Sequence, residues 1–324
     1  PQFYMFDAIF YFYLKTNNQK YLTPVEKLLS NISSKGVYDQ LAGGIARYAV
    51  DEKWVVPHFE KMLYDNIQYI NLLTKFYQKT KKEYYKKKLI QTINFINQEF
   101  KNDENLYGSA YDADSEGIEG KYYVWSYEEL KKLLENDFVL FEKKYQVSNA
   151  GNFEGKNILV ESNNELNEEE QNKIAKIEYK LIQERKKRAK PFFDDKSQTD
   201  LNAFILDTLI IASIILEDNN LKDEAISTLE ILNNKLSSKI YHCYDSSEID
   251  SFLEDYVYYA MLLVTLYEVN GDERSLQKAI GIMKETWEIF YNKDTQLLQK
   301  NKIKDNDLFV SPIDLNDSNI PNGN

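Results

Sequence analysis

Residues 202–216 read NAFILDTLIIASIIL, a stretch that is apolar on nearly every side of a helix. A helix without a polar face must be surrounded by other helices, because any open side would expose hydrocarbon to water. Asp218, Asn219 and Asn220 then break the pattern. The next helix is only amphipathic, and its apolar residues are Leu221, Ala225, Leu229 and Leu232. The stretch therefore predicts an inner helix paired with an outer one.

The same arrangement recurs along the chain. Apolar residues at helical spacing run through residues 252–266, Asn270 and Gly271 end that helix, and Asp272 is placed to cap the next one. One face of that next helix carries Leu276, Ile280, Met283, Trp287 and Phe290. Further pairs are predicted within residues 1–34, with a break near 16–23, and at 59–79 with 83–100.

Two more helices are predicted at residues 127–145 and 168–189, and residues 121–125 resemble a short strand. Ser126 and Glu129 form a capping box for the first of these helices. Repeated pairs of inner and outer helices predict an all-α fold, an α/α toroid or a solenoid rather than a four-helix bundle. A closed six-hairpin toroid needs about twelve helices and the pattern yields about ten, so we expect residues 1–324 to be one such domain, incomplete at both ends.

Composition excludes several classes of protein. The net charge is −12, whereas a nucleic-acid binder normally carries a basic field, so we expect no nucleic-acid partner. The basic run at residues 79–88 is typical of a solvated helix face. One cysteine, Cys243, allows neither an internal disulfide nor a C-x-x-C pair. Two histidines and one cysteine also argue against a protein-built zinc site, which favours three or four such ligands.

We therefore expect neither a metal nor another cofactor. No apolar run approaches the roughly 20 residues that span a bilayer, so we expect no membrane partner. The chain opens at Pro1 without an initiator Met and without a visible signal peptide. We expect a cytoplasmic protein.

The loop before residue 59 contains the first candidate catalytic residue. Pro57 cannot extend a helix backwards, which predicts that His58 stands at a helix start. There the positive end of the helix dipole would oppose protonation and favour a neutral imidazole, suited to general-base catalysis. His58, Lys61 and Asp65 are spaced to lie near one another on a helix face. The alternative is a buried histidine that holds the loop by hydrogen bonds.

A second loop brings together carboxylates at Asp112, Asp114, Glu116 and Glu119. Their repulsion requires an offsetting charge, such as Lys121, Arg47 or a bound cation. The spacing begins like a calcium loop, but Tyr123 stands where that motif needs a bidentate Glu. Paired carboxylates for acid–base work on a sugar are favoured over calcium, with Trp125 or Tyr123 stacking on the ring. An ordinary polar loop is the alternative.

The loops that precede the inner helices of a toroid gather at one end. We therefore expect His58, Asp112, Asp195, Asn202 and Asp255 to converge on one cleft. The predicted catalytic residues are His58, Asp112, Asp114 and Glu116. The predicted substrate-binding residues are Arg47, Tyr48, Trp54, Glu60, Lys61, Asp65, Lys121, Tyr123, Trp125, Asn152, Asp195, Asn202 and Asp255.

Several phrases in these loops resemble the YyaL family, which includes the spermatogenesis-associated thioredoxin-like proteins. The most specific is WVVPHFEKMLYDN at residues 54–66, preceded by GVYDQLAGG at 36–44. The others follow in order: DADSEG at 112–117, GKYYVW at 120–125, GNFEGKN at 151–157, DDK at 194–196 and FLEDY at 252–256. The resemblance covers nearly the whole chain.

The resemblance implies an α/α barrel like those of N-acylglucosamine 2-epimerases and six-hairpin glycosidases, preceded by a thioredoxin-like domain. It also implies further barrel helices after residue 324. Leu201 stands where the family has a Trp, and Ala46 where it tends to have an aromatic residue or His. The Leu201 departure puts one stacking platform in doubt.

Three functions remain open from the sequence. The first is a carbohydrate-active domain, either an epimerase or isomerase or a glycosidase-like enzyme, that binds a sugar-like ligand. The second is a non-catalytic module that binds a ligand or client for its own attached N-terminal thioredoxin-like domain. The third is a degenerate barrel with only an interaction role, which Leu201 favours.

Overall fold

The computed structural model describes residues 2–237, 239–243, 249–302 and 312–324, and helices dominate it. The helices are α1 (Phe3–Thr16), α2 (Gln19–Ser34), α3 (Leu63–Thr80), α4 (Glu83–Glu99), α5 (Tyr127–Leu134), a 3₁₀ turn (Glu135–Asp137), α6 (Phe138–Lys144), α7 (Glu168–Arg185), α8 (Thr199–Leu216), α9 (Asn219–Lys235), α10 (Leu253–Asn270) and α11 (Glu273–Phe290). The strands are β1 (Tyr48–Ala49), β2 (Pro57–His58), β3 (Lys61–Met62), β4 (Ala110–Tyr111), β5 (Asp114–Ser115), β6 (Ile118–Glu119), β7 (Phe193–Asp194), β8 (Tyr241–Cys243), β9 (Ile249–Asp250), β10 (Tyr291–Asn292) and β11 (Leu297–Leu298).

The inner helices α1, α3, α8 and α10 stand in a row, each packed against the next. Each is followed by an outer helix, α2, α4, α9 or α11, that packs antiparallel to it. Helix α8 is buried on nearly every side as far as Ser213, and only its last turn opens to solvent at Ile214. The predicted inner helix and its outer partner are therefore confirmed.

Short turns with local caps connect the helices of each pair. The carboxylate of Asp218 accepts a hydrogen bond from the backbone N–H of Leu221, and Asp272 accepts one from Arg274. Gly271 has φ 72°, a left-handed conformation in which a residue without Cβ is least strained. The turn between α1 and α2 falls at Asn17 and Asn18, within the interval where the sequence predicted a break in the helix.

The segment between α4 and α8 is an insertion that contains α5, α6 and α7. These helices pack around a separate apolar cluster, which includes Trp125, Phe141 and Leu181. The predicted capping box of Ser126 and Glu129 is present at the start of α5. The predicted single helix at 127–145 is wrong, because Glu135 has φ 50° and the chain turns through 3₁₀ geometry. Asn136 and Asp137 favour turns over helix interiors, which accounts for the break.

A small antiparallel sheet joins the loops at the starts of the inner helices. Its strand order is β3–β4–β7, with Lys61 opposite Tyr111 and Ala110 opposite Asp194. The strand predicted at 121–125 is wrong, since these residues form a turn and only Trp125 makes a bridge, to Asn157. The sheet connects the loops that contain β3, β4 and β7 at one end of the toroid, which we call the loop end.

Helix α8 is also long and apolar enough to cross a membrane by length and composition. However, 72% of it is buried inside the fold. The inner position of α8 accounts for its hydrophobicity, because a core helix needs the same composition as a membrane span.

Asn202→Ala tests the connection between α8 and the loop after α4. The amide of Asn202 pairs with both the backbone N–H and the carbonyl of Tyr107, at 2.8 and 2.9 Å, and is 1% exposed. Its removal leaves two buried backbone groups unpaired, so we expect a loss of about 2–4 kcal/mol in the free energy of unfolding. Urea denaturation measures it, with the exposed Asn220→Ala as the control. Equal midpoints for the two variants would contradict this role.

Candidate functional site

His58 lies in β2 and is held from two sides. Its Nδ1 is 2.8 Å from Oε1 of Glu119, and its ring stacks on Tyr48 with 5.0 Å between the centroids. Because β1 pairs with β2, Tyr48 stands directly opposite His58. The histidine side chain is 30% exposed and that of Glu119 45%. An imidazole oriented by a carboxylate and open to solvent has the geometry of a general base.

The predicted position of His58 at a helix start is wrong. Helix α3 begins at Leu63, because Lys61 and Met62 are extended and pair with β4. The backbone N–H of Leu63 also donates to the carbonyl of Ser109 across the same sheet. The helix dipole therefore does not act on His58 as predicted, and Glu119 is the group that orients it.

Arg47 and Glu60 flank the histidine. Nη1 of Arg47 donates to Oε2 of Glu60 at 2.8 Å, and the same oxygen lies 3.9 Å from Nε2 of His58. The structure thus brings Arg47, Tyr48 and Glu60 to His58.

Asp65, on the first turn of α3, is 4% exposed, and its Oδ2 accepts no hydrogen bond from the described residues. Burial raises the pKa of Asp65 to about 7.

Lys61 faces away from His58 into the interior, which corrects its predicted place beside His58 and Asp65. Its Nζ donates to Oδ2 of Asp39 at 3.0 Å, and Arg185 donates to Oδ1 of the same carboxylate at 2.9 Å. We call Asp39, Lys61 and Arg185 the ionic cluster. Burial opposes ionisation of Asp39, but the two adjacent positive charges hold the pKa of its carboxyl well below the usual range.

The acidic loop folds as a hairpin of β5 and β6. Glu116 and Gly117 occupy its turn with φ 53° and 72°, and Glu116 pairs with Lys121 at 2.8 Å. Asp112 and Asp114 are exposed, so solvent screens their repulsion and they do not form a converging set of ligands. The loop brings Glu119 to His58, and the catalytic roles of Asp112, Asp114 and Glu116 stay predictions.

One ring of the predicted aromatic stacking surface, that of Trp125, is buried inside the protein, which corrects its assignment. Trp125 is fully buried, with the guanidinium of Arg188 lying 3.9 Å from its ring centroid. Tyr123 stacks on Phe59 with 5.7 Å between the rings. Trp54 is half-buried and packs against the main core. Trp125 is therefore unavailable to a ligand, whereas Tyr123 and Trp54 are half-buried and their binding roles stay predictions.

The polar loop residues Asn152, Asn202 and Asp195 have hydrogen-bond partners within the protein. The amide of Asn152 pairs with the backbone of Ile158 at 2.8 and 2.9 Å. Asn202 is paired with Tyr107, and Asp195 is exposed while its carbonyl accepts a hydrogen bond from Asn102. The contacts of Asn152 and Asn202 stabilise the loops.

A second histidine, which sequence reasoning missed, completes a buried acidic group at the starts of α8 and α10. Nδ1 of His242 lies 3.0 Å from Oδ1 of Asp255, and its Nε2 lies 3.0 Å from Nε2 of Gln198. Asp255 also accepts the backbone N–H of Asp200, and ligand atoms of Asp200, His242 and Asp255 lie within 4.8 Å of one another. The only signal in the sequence was that the chain has just two histidines.

The protonation of this group is shifted. Burial and then the charge of Asp255 raise the pKa of Asp200 to about 7. Burial lowers the pKa of His242, but its hydrogen bond to Asp255 and that charge outweigh it and raise the pKa overall. The group is therefore a place where the protein takes up protons near neutral pH.

Hydrogen bonds connect the loops before α3, α8 and α10. They are those of the β3–β4–β7 sheet, the Asn202–Tyr107 bonds and the bond from the N–H of Asp200 to Asp255. The convergence of His58, Asp112, Asp195, Asn202 and Asp255 on one cleft stays a prediction.

Asp200→Asn is expected to flatten the dependence of stability on pH. A carboxyl whose pKa is raised on folding binds its proton more tightly in the folded state, so its contribution to stability is lost as pH rises through about 7. His242 has the same sign, since its pKa is also raised. We therefore expect the melting temperature of the wild type to fall between about pH 5 and pH 8, and that of Asp200→Asn to fall less. Asp223→Asn, on an exposed site of α9, is the control. Parallel curves for all three proteins would refute the shift.

The sequence of this chain is similar to those of several known proteins. A search against models of protein families finds no match. The chain is 25% identical to an uncharacterized protein of Caenorhabditis elegans, over 92% of this chain and 47% of that one. It is 26% identical to human spermatogenesis-associated protein 20, over 82% of this chain and 40% of that one. The chain thus spans less than half the length of these relatives.

Solved structures share the architecture. A family 76 glycoside hydrolase from a bovine Bacteroides thetaiotaomicron strain aligns with TM-score 0.53 at 13% identity, over 88% of this chain and 46% of that one. The cellobiose 2-epimerase of Spirochaeta thermophila aligns with TM-score 0.51 at 10% identity, over 87% of this chain and 58% of that one. Such identities establish the fold alone. The resemblance read from the loop motifs is confirmed by the similarity to spermatogenesis-associated protein 20, and the fold is six-hairpin glycosidase-like.

Proposed function

We propose that the loop end of the toroid is an acid–base site that moves protons on a carbohydrate, in a reaction of the epimerase or isomerase type. The observation that carries the proposal is the His58–Glu119 pair, an oriented and partly exposed imidazole at 2.8 Å from a carboxylate. The fold supports a carbohydrate as the ligand by analogy, since its structural neighbours include glycoside hydrolases and a sugar epimerase.

The proposed chemistry follows from the two ring nitrogens. Glu119 engages Nδ1, so Nε2 is the atom that accepts a proton from the carbon beside the carbonyl of an open-chain sugar. Loss of that proton places negative charge on the carbonyl oxygen as an enediolate. Return of the proton from Nε2 to the same carbon after the enediolate has turned over inverts that carbon. Return to the neighbouring carbon, with a proton passing from one sugar oxygen to the other, isomerises the sugar.

Nearby side chains fit the other needs of this reaction. Tyr48 is 45% exposed and stacks on His58, so its ring offers an apolar face beside the imidazole. Arg47 is 39% exposed at its side chain, and its guanidinium is placed to stabilise the oxyanion that develops. Glu60 holds Arg47 in position at 2.8 Å.

Solvent exchange at the substrate carbon tests the proposal directly. The protein is incubated in D₂O with hexoses, N-acyl hexosamines and oligosaccharides, and proton NMR follows loss of the C–H signal beside the carbonyl. We expect His58→Asn to lower kcat by about 10²–10⁴-fold with little change in KM, because the base is removed and the fold is kept. Glu119→Gln should lower kcat less, since the base remains and only its orientation is lost. Glu128→Gln, on the exposed face of α5, is the matched control.

Two results would overturn this function. Equal exchange rates for the wild type and His58→Asn would remove His58 from the reaction. Sugar binding by calorimetry without exchange or turnover would assign the loop end to a non-catalytic binding module.

A further inference from the structure

The ionic cluster holds more positive than negative charge. Lys61 and Arg185 share the one carboxylate of Asp39, and the three side chains are 4%, 5% and 7% exposed in that order. The carboxylate of Glu99 also attracts the charge of Lys61, but Glu99 is itself paired with Lys190 at 2.7 Å. A buried charge without a counter-ion is strongly unfavourable, so this cluster calls for an additional anion.

Arg185 has an unused donor within the cluster. Its Nη1 donates to Asp39, whereas its Nε is buried and has no acceptor among the described residues. Tyr122 and Tyr123 lie beside the guanidinium, with centroids 5.3 and 5.6 Å away, and present rings to it. A planar guanidinium with a free N–H edge matches the two oxygens of a carboxylate or phosphate.

Arg185 lines a cleft of about 110 Å³ that is open to the surface. Lys186 and Lys190 line its exposed part, and Lys61 and Arg185 its buried part. Asp39 and Glu99 are the carboxylates among the described lining residues, so positive charge prevails. The aromatic lining residues are Phe95, Tyr111, Tyr122 and Tyr123.

We propose that this cleft binds a small organic oxyanion, whose carboxylate or phosphate group docks on Nε of Arg185 and whose body packs on the tyrosines. The bound anion would supply the counter-charge that the ionic cluster lacks. The site does not depend on the proposed sugar chemistry, because Lys61 points into the interior while His58 and Glu60 of the same segment are partly exposed.

Binding is measured by isothermal titration calorimetry and by thermal shift. Sodium chloride at the same ionic strength as each probe is the control. The probes are inorganic phosphate, glucuronate and glucose 6-phosphate, with uncharged glucose for comparison. We expect saturable binding of at least one oxyanion and a rise in melting temperature that matched chloride does not produce. Binding of phosphates alone or of glucuronate alone would identify which oxyanion the site accepts.

Three variants locate the site. Arg185→Lys keeps the charge beside Asp39 but removes the Nε–H donor, so we expect the affinity to fall by about tenfold or more. Lys186→Gln changes an exposed residue at the mouth of the cleft and should weaken binding severalfold without loss of the fold. Arg274→Gln, on the exposed face of α11, should bind like the wild type.

Three results would overturn the proposal. They are the absence of saturable binding for all three anions, affinity for glucose equal to that for glucose 6-phosphate, and unchanged affinity in both Arg185→Lys and Lys186→Gln.

Discussion

The burial of α8 between α3 and α10 is the constraint on which the rest of the structure depends. A helix that is apolar on all sides can be stable only when neighbours cover it, so its own sequence forces the row of inner helices. The first turn of α8 then acts as an anchor. Asn202 binds the backbone after α4, and the N–H of Asp200 donates to Asp255 at the start of α10. Packing along the row thereby sets where the loops meet.

Four asparagines, three of them buried, hold those loops by one recurring interaction. Asn66 pairs with both the N–H and the carbonyl of Ile45, and Asn157 does the same with Ser148. Asn152 pairs in this way with Ile158, and Asn202 with Tyr107. A side-chain amide has one acceptor and one donor at the spacing of a peptide, so it satisfies a buried backbone segment as a neighbouring strand would. Loops of this length can therefore be buried without regular sheets.

The helices could be predicted because periodicity and caps are local, as α8 and the Gly271–Asp272 turn demonstrate. The loop side chains could not, because their surroundings come from residues distant in sequence. Lys61 is a surface residue by type, and only Arg185 and Asp39, far from it in the chain, explain its burial. Trp125 was predicted to stack on a sugar ring, yet α5 to α7 cover it. His242 was missed since its partner Asp255 is identified only when β8 is placed against α10.

The segment from His58 to Lys61 shows how one extended stretch can hold two kinds of chemistry. In an extended chain successive side chains point to opposite sides, so His58 and Glu60 remain partly exposed while Phe59 and Lys61 enter the interior. A helix start at this position, as the sequence indicated, would have placed His58 and Lys61 on one face. The imidazole and the ammonium group would then be neighbours. The pairing of β3 with β4 prevents this. An imidazole is thereby kept with its carboxylate on the open side, and a positive cluster is kept on the covered side, three residues apart in the chain.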